Sequence, residues 1–140
     1  MSKTLLIVIC MAMSAALSAA QQKVVTAAQV NGLYTNRWSD FRILALGHHK
    51  LRVQFNGEYM TTSGVPNLGI ADGEASIDGN VATFIPGDTT GCKITLTFLR
   101  NKMKVEQEGS DAACGFGHNV FATGTYRRIR AGKPKFVTYP

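Results

Sequence analysis

The 140-residue chain carries 15 lysines and arginines against 9 aspartates and glutamates, which gives a formal net charge of +6. This length fits one domain, and no stretch after the N-terminal segment is apolar over the roughly 20 residues that span a bilayer. The charge is local, since residues 21–126 hold 9 basic and 9 acidic side chains, and a neutral body argues against nucleic acid as a partner.

The first 20 residues have the pattern of a secretory signal peptide. Lys3 supplies a basic start, an apolar run covers residues 5–13, and small residues lead up to Ala20. We therefore predict cleavage after Ala20, and a mature protein that is periplasmic or secreted. Residues 21–30 are predicted as an N-terminal lead with at most a short helical turn near Ala27.

The cysteines predict one disulfide. Cys10 leaves with the signal peptide, so Cys92 and Cys114 remain in a compartment where disulfides persist. Closing a loop of this length contributes about 3 kcal/mol in the chain-entropy model.

From Gly32 onward, short β-branched or alternating runs are separated by turn residues. The predicted strands are, in chain order, residues 32–35, 41–46, 51–55, 69–77, 81–85, 92–98, 103–107 and 120–126. Asp78-Gly79-Asn80 is a hairpin signal because Asp, Gly and Asn accept positive φ angles. A ninth strand over residues 58–62 would follow if Asn56-Gly57 formed a turn.

Sequential hairpins at this spacing predict an all-β fold, a small antiparallel eight-stranded up-and-down β-barrel over residues 31–128. An open β-sandwich is the alternative. In the barrel the first and last strands pair. If Phe98 pairs with Met103, Cys92 lies opposite Gly109, and the disulfide folds the loop that contains Cys114 back onto one mouth of the barrel.

The chain shows no motif for catalysis, a cofactor or a metal, and we predict that it is not an enzyme. His48, His49 and His118 have no ligand spacing and are interpreted as solvated loop residues. Asp72 and Glu74 share one face of a strand and are interpreted as solvent-facing.

Three loops stand out as candidate binding surfaces, at residues 59–68, 86–91 and 109–119. Within them we predict that Ser63, Gly64, Phe116, His118 and Asn119 contact a protein partner or an envelope polymer.

Residues 129–140 are predicted as a basic C-terminal tail. The basic residues at and before it are Arg127, Arg128, Arg130, Lys133 and Lys135. Glycine and proline interrupt this segment, which favours a disordered, solvated end. The alternative is peripheral contact with an anionic envelope surface.

Residues 30–128 resemble small exported bacterial β-barrel modules, on Gly32-Leu33-Tyr34, the strand that begins at Cys92, Cys114-Gly115-Phe116-Gly117 and Gly124-Thr125-Tyr126-Arg127. They are also distantly similar to periplasmic lysozyme-inhibitor barrels, which insert a loop carrying Ser-Gly-x-x-Tyr into the enzyme's cleft. Here Ser63-Gly64 is present, but Asn67 stands where the tyrosine is expected.

The resemblance implies an exported binding module that inhibits lysozyme-type cell-wall hydrolases. Two alternatives are a lipocalin-like carrier of a small apolar ligand and an envelope-associated structural protein. A carrier requires an empty interior, whereas large inward residues such as Phe55, Phe84 and Phe98 argue for a filled one.

Overall fold

The computed structural model describes residues 25–87 and 91–140. The predicted signal peptide and Cys10 lie outside these residues. One short helix, α1 (Ala27–Val30), precedes eight strands. The strands are β1 (Gly32–Thr35), β2 (Ser39–Gly47), β3 (Lys50–Met60), β4 (Pro66–Asp78), β5 (Val81–Phe84), β6 (Lys93–Leu99), β7 (Lys102–Glu108) and β8 (Gly124–Ala131).

The eight strands form a closed antiparallel barrel in chain order, which confirms the predicted fold and excludes the open sandwich. β8 closes the barrel by pairing with β1, from Thr35 opposite Arg127 to Gly32 opposite Ala131. The condition that Phe98 pairs with Met103 is met. The disulfide between Cys92 and Cys114 is present.

Strand alternation fills the barrel interior with large side chains. Those that are essentially inaccessible to solvent include Tyr34, Phe41, Ile43, Leu51, Phe55, Phe84, Ile94, Leu96, Met103 and Tyr126. The Phe41 ring contacts both Phe55 and Tyr126, with ring centroids 4.8 and 4.9 Å apart. Such packing leaves the interior to side chains, as the small size of an eight-stranded barrel allows.

Two hairpins test the predicted turns. Asp78 and Val81 are the last pair of β4 and β5, so the hairpin predicted at Asp78-Gly79-Asn80 is confirmed, with Gly79 at φ +60°. The conditional turn at Asn56-Gly57 does not form. β3 continues through both residues, which pair with β2 on one side and with β4 on the other. Pairing on both sides outweighs the local turn preference of an Asn-Gly dipeptide.

Because the strands form a meander, the connections alternate between two ends of the barrel. The helix end carries α1 and the β2–β3, β4–β5 and β6–β7 turns, and the loop end carries the other connections. α1 is held over the helix end by Arg128, whose guanidinium donates to the carbonyl oxygens of Ala28 (2.6 Å) and Asn31 (2.7 Å). Arg128 therefore belongs to the fold.

The C-terminal segment is ordered, so the prediction of a disordered tail was wrong. β8 extends to Ala131, three residues beyond the predicted end of the domain. The remaining residues cross the outside of the barrel to β3, where Val137 exchanges two hydrogen bonds with the side chain of Gln54, at 2.7 and 2.8 Å. The Arg52 guanidinium lies 3.9 Å from the centroid of the Phe136 ring. These contacts leave Gln54 with no exposed surface, although it points outward from β3.

In the described ranges, no helix is both long and apolar enough to cross a membrane.

Candidate functional site

The loop end is the candidate functional site because the predicted binding residues lie in its connections. Two segments form it. One is the tip of the β3–β4 hairpin, residues 58–68, and the other is the β7–β8 loop, residues 109–123. We call the first segment the binding hairpin and the second the sealing loop.

The sealing loop is folded into the mouth of the barrel. Cys114 ties it to Cys92, the residue before β6. Further along, Val120 and Ala122 are buried, and the Phe116 ring packs against Phe55 at a tilt, with centroids 5.0 Å apart. Phe116 is therefore a core residue, which corrects its prediction as a binding contact. A long loop that covers an apolar core turns its aromatic ring inward, because removing the ring from water is favourable in free energy.

Asp111 organises the part of the sealing loop that faces solvent. Its carboxylate accepts hydrogen bonds from the backbone N–H groups of Asn119 (2.6 Å) and Ala112 (2.7 Å). His118 Nδ1 lies 3.5 Å from the same carboxylate. These N–H groups, with a smaller contribution from His118, hold the pKa of Asp111 below its ordinary value. The exposed His118 and Asn119 side chains thus stand on a locally fixed backbone.

The binding hairpin extends past the strands on both sides of it. Its pairing runs to Met60 opposite Pro66, whereas pairing of β2 with β3 stops at Ser39 opposite Gly57. On the other side, β5 pairs only with residues 75–78 of β4. The end of this hairpin is therefore a two-stranded projection from the rim of the barrel.

Hydrogen bonds fix the turn at the tip of the binding hairpin. Thr61 Oγ1 lies 2.8 Å from Ser63 Oγ and donates to the carbonyl oxygen of Val65 at 2.6 Å. The Gly64 N–H donates to the carbonyl oxygen of Thr61, and Gly64 has φ +82°. Glycine suits this conformation, because a side chain at positive φ is strained. Ser63 and Gly64 are exposed at the tip, in the place that the sequence predicted.

Four large apolar side chains of the binding hairpin face solvent. Tyr59 is 43%, Met60 46%, Val65 65% and Leu68 52% exposed. The sequence analysis did not select them. A signal was present for two of them, because Met60 and Leu68 occupy positions where the alternation of β3 and β4 places solvent-facing side chains. The sequence analysis ended β3 at residue 55 and allowed a turn at Asn56-Gly57, so it did not follow the alternation further.

The two segments are joined at the base of the projection. The Gly117 N–H donates to the carbonyl oxygen of Leu68 at 2.8 Å, and Asn67 Nδ2 donates to that of His118 at 2.8 Å. A Cβ atom on Gly69 would lie 2.6 Å from Val120 Cγ1, so the sealing loop packs directly on the hairpin backbone. His118 and Asn119 thus flank the base, while Ser63 and Gly64 occupy the tip.

The residues considered for chemistry are distributed elsewhere. His48 and His49 form the β2–β3 turn at the helix end, opposite His118. The Asp72 and Glu74 carboxylates pair with Arg52 (3.0 Å) and Lys50 (3.2 Å) on the outer wall. Across residues 25–87 and 91–140, no group of three His, Cys, Asp or Glu side chains has the proximity that holds a metal ion.

Two surface cavities lie away from the binding hairpin. The largest of those described, about 430 Å³, lies under the C-terminal segment and is lined by residues that include Leu33, Arg42, Arg130 and Phe136. Another, about 350 Å³, lies between α1 and the β6–β7 turn. Of the residues that line these two cavities, Phe98 belongs to the buried core of the barrel.

Comparisons with protein-family models, with curated proteins and with solved structures find no match to this chain.

Proposed function

We propose that the protein is an exported binding module that uses its binding hairpin to inhibit a lysozyme-type cell-wall hydrolase. The observation that carries this proposal is the projection itself, a hydrogen-bonded hairpin that exposes Tyr59, Met60, Val65 and Leu68 beyond the rim of the barrel. Exposed apolar side chains grouped on one projection are typical of a protein-binding surface.

The order of the hairpin supports a role in tight binding. Its tip is fixed by Thr61, and its base is fixed by the bonds from Gly117 and Asn67 to the sealing loop. Cys92 and Cys114 hold that loop in turn. A segment that is already ordered loses less conformational entropy on association than a flexible one.

The shape supports a concave target. A projection two strands wide fits a cleft, and wall hydrolases bind their glycan chains in clefts. Apolar side chains on the projection would fill such a cleft, while the Ser63 hydroxyl and the exposed backbone at Gly64 supply polar contacts at its floor.

The position of Tyr59 bears on the departure from the lysozyme-inhibitor motif. Asn67 replaces the expected tyrosine, and its amide is used within the protein to hold His118. Tyr59 is the cross-strand partner of Asn67 and lies on the same face of the hairpin. We therefore infer that Tyr59 supplies the aromatic contact that the motif provides from the other strand.

The test is inhibition of c-type, g-type and i-type lysozymes in a peptidoglycan-clearing assay. We expect inhibition of at least one class, and an increase of ten-fold or more in the inhibition constant for Tyr59→Ala and for Val65→Ser, because hot-spot truncations reach this size. Ile129→Ser is the matched control, since Ile129 is 61% exposed on the barrel wall.

Two outcomes would overturn the proposal. One is the absence of both inhibition and binding for all three classes, with binding measured by interferometry on folded, oxidised protein. The other is an equal loss of inhibition in Val65→Ser and Ile129→Ser, which would place the contact outside the hairpin.

A further inference from the structure

Exposed cations gather on the outer wall of the barrel at β7 and β8, away from the binding hairpin. Lys102 and Arg127 are direct cross-strand partners, and both are exposed. Lys104 follows on β7, Arg100 precedes Lys102 in the β6–β7 turn, and Arg130 follows on β8. We call these five residues the basic wall.

The described carboxylates do not pair with the basic wall. The ion pairs in residues 25–87 and 91–140 use Arg42, Lys50, Arg52, Lys93 and His118. On the neighbouring strand β1, the residues opposite Arg130 and Arg127 are Leu33 and Thr35, which are uncharged. Glu106 is the acidic residue of the same face of β7, two positions beyond Lys104 toward the loop end.

The cross-strand pair of Lys102 and Arg127 is unfavourable for the stability of the fold. Like charges directly opposite one another on adjacent strands destabilise a sheet. The wall of β2, β3 and β4 differs, because Asp40, Asp72 and Glu74 accompany its cations there. A set of cations that the fold leaves unbalanced is suited to an anionic partner.

Two aliphatic side chains are exposed among the cations. Leu99 pairs with Lys102 across β6 and β7 and is 36% exposed. Ile129 occupies the bulge of β8 and is 61% exposed. The bulge lies beside the β6–β7 turn, because the Arg128 N–H donates to the carbonyl oxygen of Asn101 at 2.9 Å. Cations that surround exposed aliphatic residues fit the boundary between phospholipid headgroups and acyl chains.

We infer that the basic wall docks the protein on an anionic phospholipid surface, with Arg100, Lys102, Lys104, Arg127 and Arg130 at the headgroups and Ile129 and Leu99 inserted between them. Docking is separate from the proposed function, since it uses the barrel wall and leaves the binding hairpin free.

The experiment is sedimentation with vesicles of phosphatidylcholine alone or with 30 mol% phosphatidylglycerol as the probe. The protein is purified from expression of the full-length sequence, and mass spectrometry establishes that all variants share one N-terminus. We expect binding to the anionic vesicles that weakens as NaCl is raised. Each cation near such a surface contributes roughly a five-fold factor, so Lys102→Gln/Lys104→Gln/Arg127→Gln should bind roughly a hundred-fold more weakly.

The control for net charge is Arg37→Gln/Lys50→Gln/Lys93→Gln, which removes three exposed cations from other surfaces. We expect a change below about three-fold, because these positions lie away from the docked face. The control for the aliphatic contact compares Ile129→Ser with Leu46→Ser, since Leu46 is 44% exposed at the end of β2. Ile129→Ser should weaken binding by roughly ten-fold and Leu46→Ser should not.

Three results would overturn the inference. The first is no sedimentation with anionic vesicles, and the second is an equal loss in the two triple variants, which would indicate nonspecific attraction. The third is that Ile129→Ser binds as the parent does while soluble polyphosphate binds as tightly as the vesicles, because the partner would then be an anionic polymer.

Discussion

The two ends of the barrel are closed by the same kind of hydrogen bond and secured in different ways. At the helix end the buried Tyr34 hydroxyl donates to the carbonyl oxygen of Val30 at 2.9 Å, and at the loop end Tyr126 donates to that of Ala122 at 2.8 Å. Each tyrosine thus holds a carbonyl four residues before it in the chain. Burial raises the pKa of both phenols to about 12.

Each end has a second stabilising interaction, and its kind differs with the length of the segment that closes that end. α1 precedes β1 by a single residue, and the Arg128 guanidinium is enough to hold it. The sealing loop spans the whole connection from β7 to β8 and is held by the disulfide. A longer segment loses more conformational entropy when it is ordered. A cross-link lowers the entropy of the unfolded chain, so less entropy is lost on folding. The candidate site therefore lies at the end of the barrel that the disulfide holds.

The largest effect on both ends is expected at alkaline pH. An unfolded tyrosine has its pKa near 10, so the stability that each buried phenol confers is complete below pH 10 and is lost as the pH rises toward 12. The loss is about 2 kcal/mol for each ring at pH 11.5 and approaches about 3 kcal/mol only above pH 12.

Urea unfolding between pH 8 and pH 11.5 measures this loss. At pH 8, Tyr34→Phe and Tyr126→Phe should each be about 1 kcal/mol less stable than the parent. As the pH rises, each variant should lose less stability than the parent does. An identical pH dependence in the parent and both variants would show that these phenols do not control it.

Removal of the disulfide should separate the two ends. Cys92→Ala/Cys114→Ala is expected to lower the free energy of unfolding by about 3 kcal/mol. Amide hydrogen exchange should accelerate in the sealing loop and at the base of the binding hairpin, while exchange at Asn31 and in β1 changes only with global stability. Equal acceleration of local exchange at both ends would contradict the distinction between them.

Arg128→Gln tests the helix end by removing the hydrogen bonds to α1. Hydrogen bonds from charged groups contribute about 1.5–3 kcal/mol, so a loss of about 2 kcal/mol is expected in thermal or urea unfolding. Exchange should rise at Asn31, whose N–H bonds to Ala27 within α1. If the variant kept its stability, α1 would need another explanation for its place on the barrel.

The smallest expected effect is a gain in stability when Arg127, the residue before Arg128, is replaced. Arg127→Gln removes the charge opposite Lys102 and should raise stability by a few tenths of a kcal/mol, more at low salt than at high salt. The two neighbouring arginines should therefore shift the unfolding midpoint in opposite directions. A loss at Arg127 similar to that at Arg128 would mean that the basic wall is stabilised by contacts within the protein.

Local pattern was enough to predict the strands. Period-two alternation and turn residues located eight strands and the Gly79-Asn80 hairpin, because each depends on residues close together in the chain. The strand ends were less well predicted, since β3 and β4 extend well past the runs that their apolar alternation marks. The last strand, predicted over residues 120–126, runs instead over Gly124–Ala131, and residues 120–123 belong to the sealing loop.

The candidate site was predicted in part. Ser63, Gly64, His118 and Asn119 lie at the loop end, but Phe116 is buried and the exposed residues of the binding hairpin were not selected. Whether an aromatic residue in a loop faces inward depends on what lies beneath it. Phe116 covers Phe55, a residue 61 positions earlier, and no local pattern contains that contact.

The sequence by itself determined the all-β class, the order of the strands and the cysteine pair, because alternation, turn chemistry and the number of cysteines act over a few residues at a time. The tertiary structure alone decided which segments close the ends of the barrel and which surfaces stay exposed. It placed Val137 on Gln54, 83 residues away, and divided the C-terminal arginines between a contact with α1 and an exposed wall. These outcomes depend on contacts between distant parts of the chain, where burial and hydrogen bonding outweigh local composition.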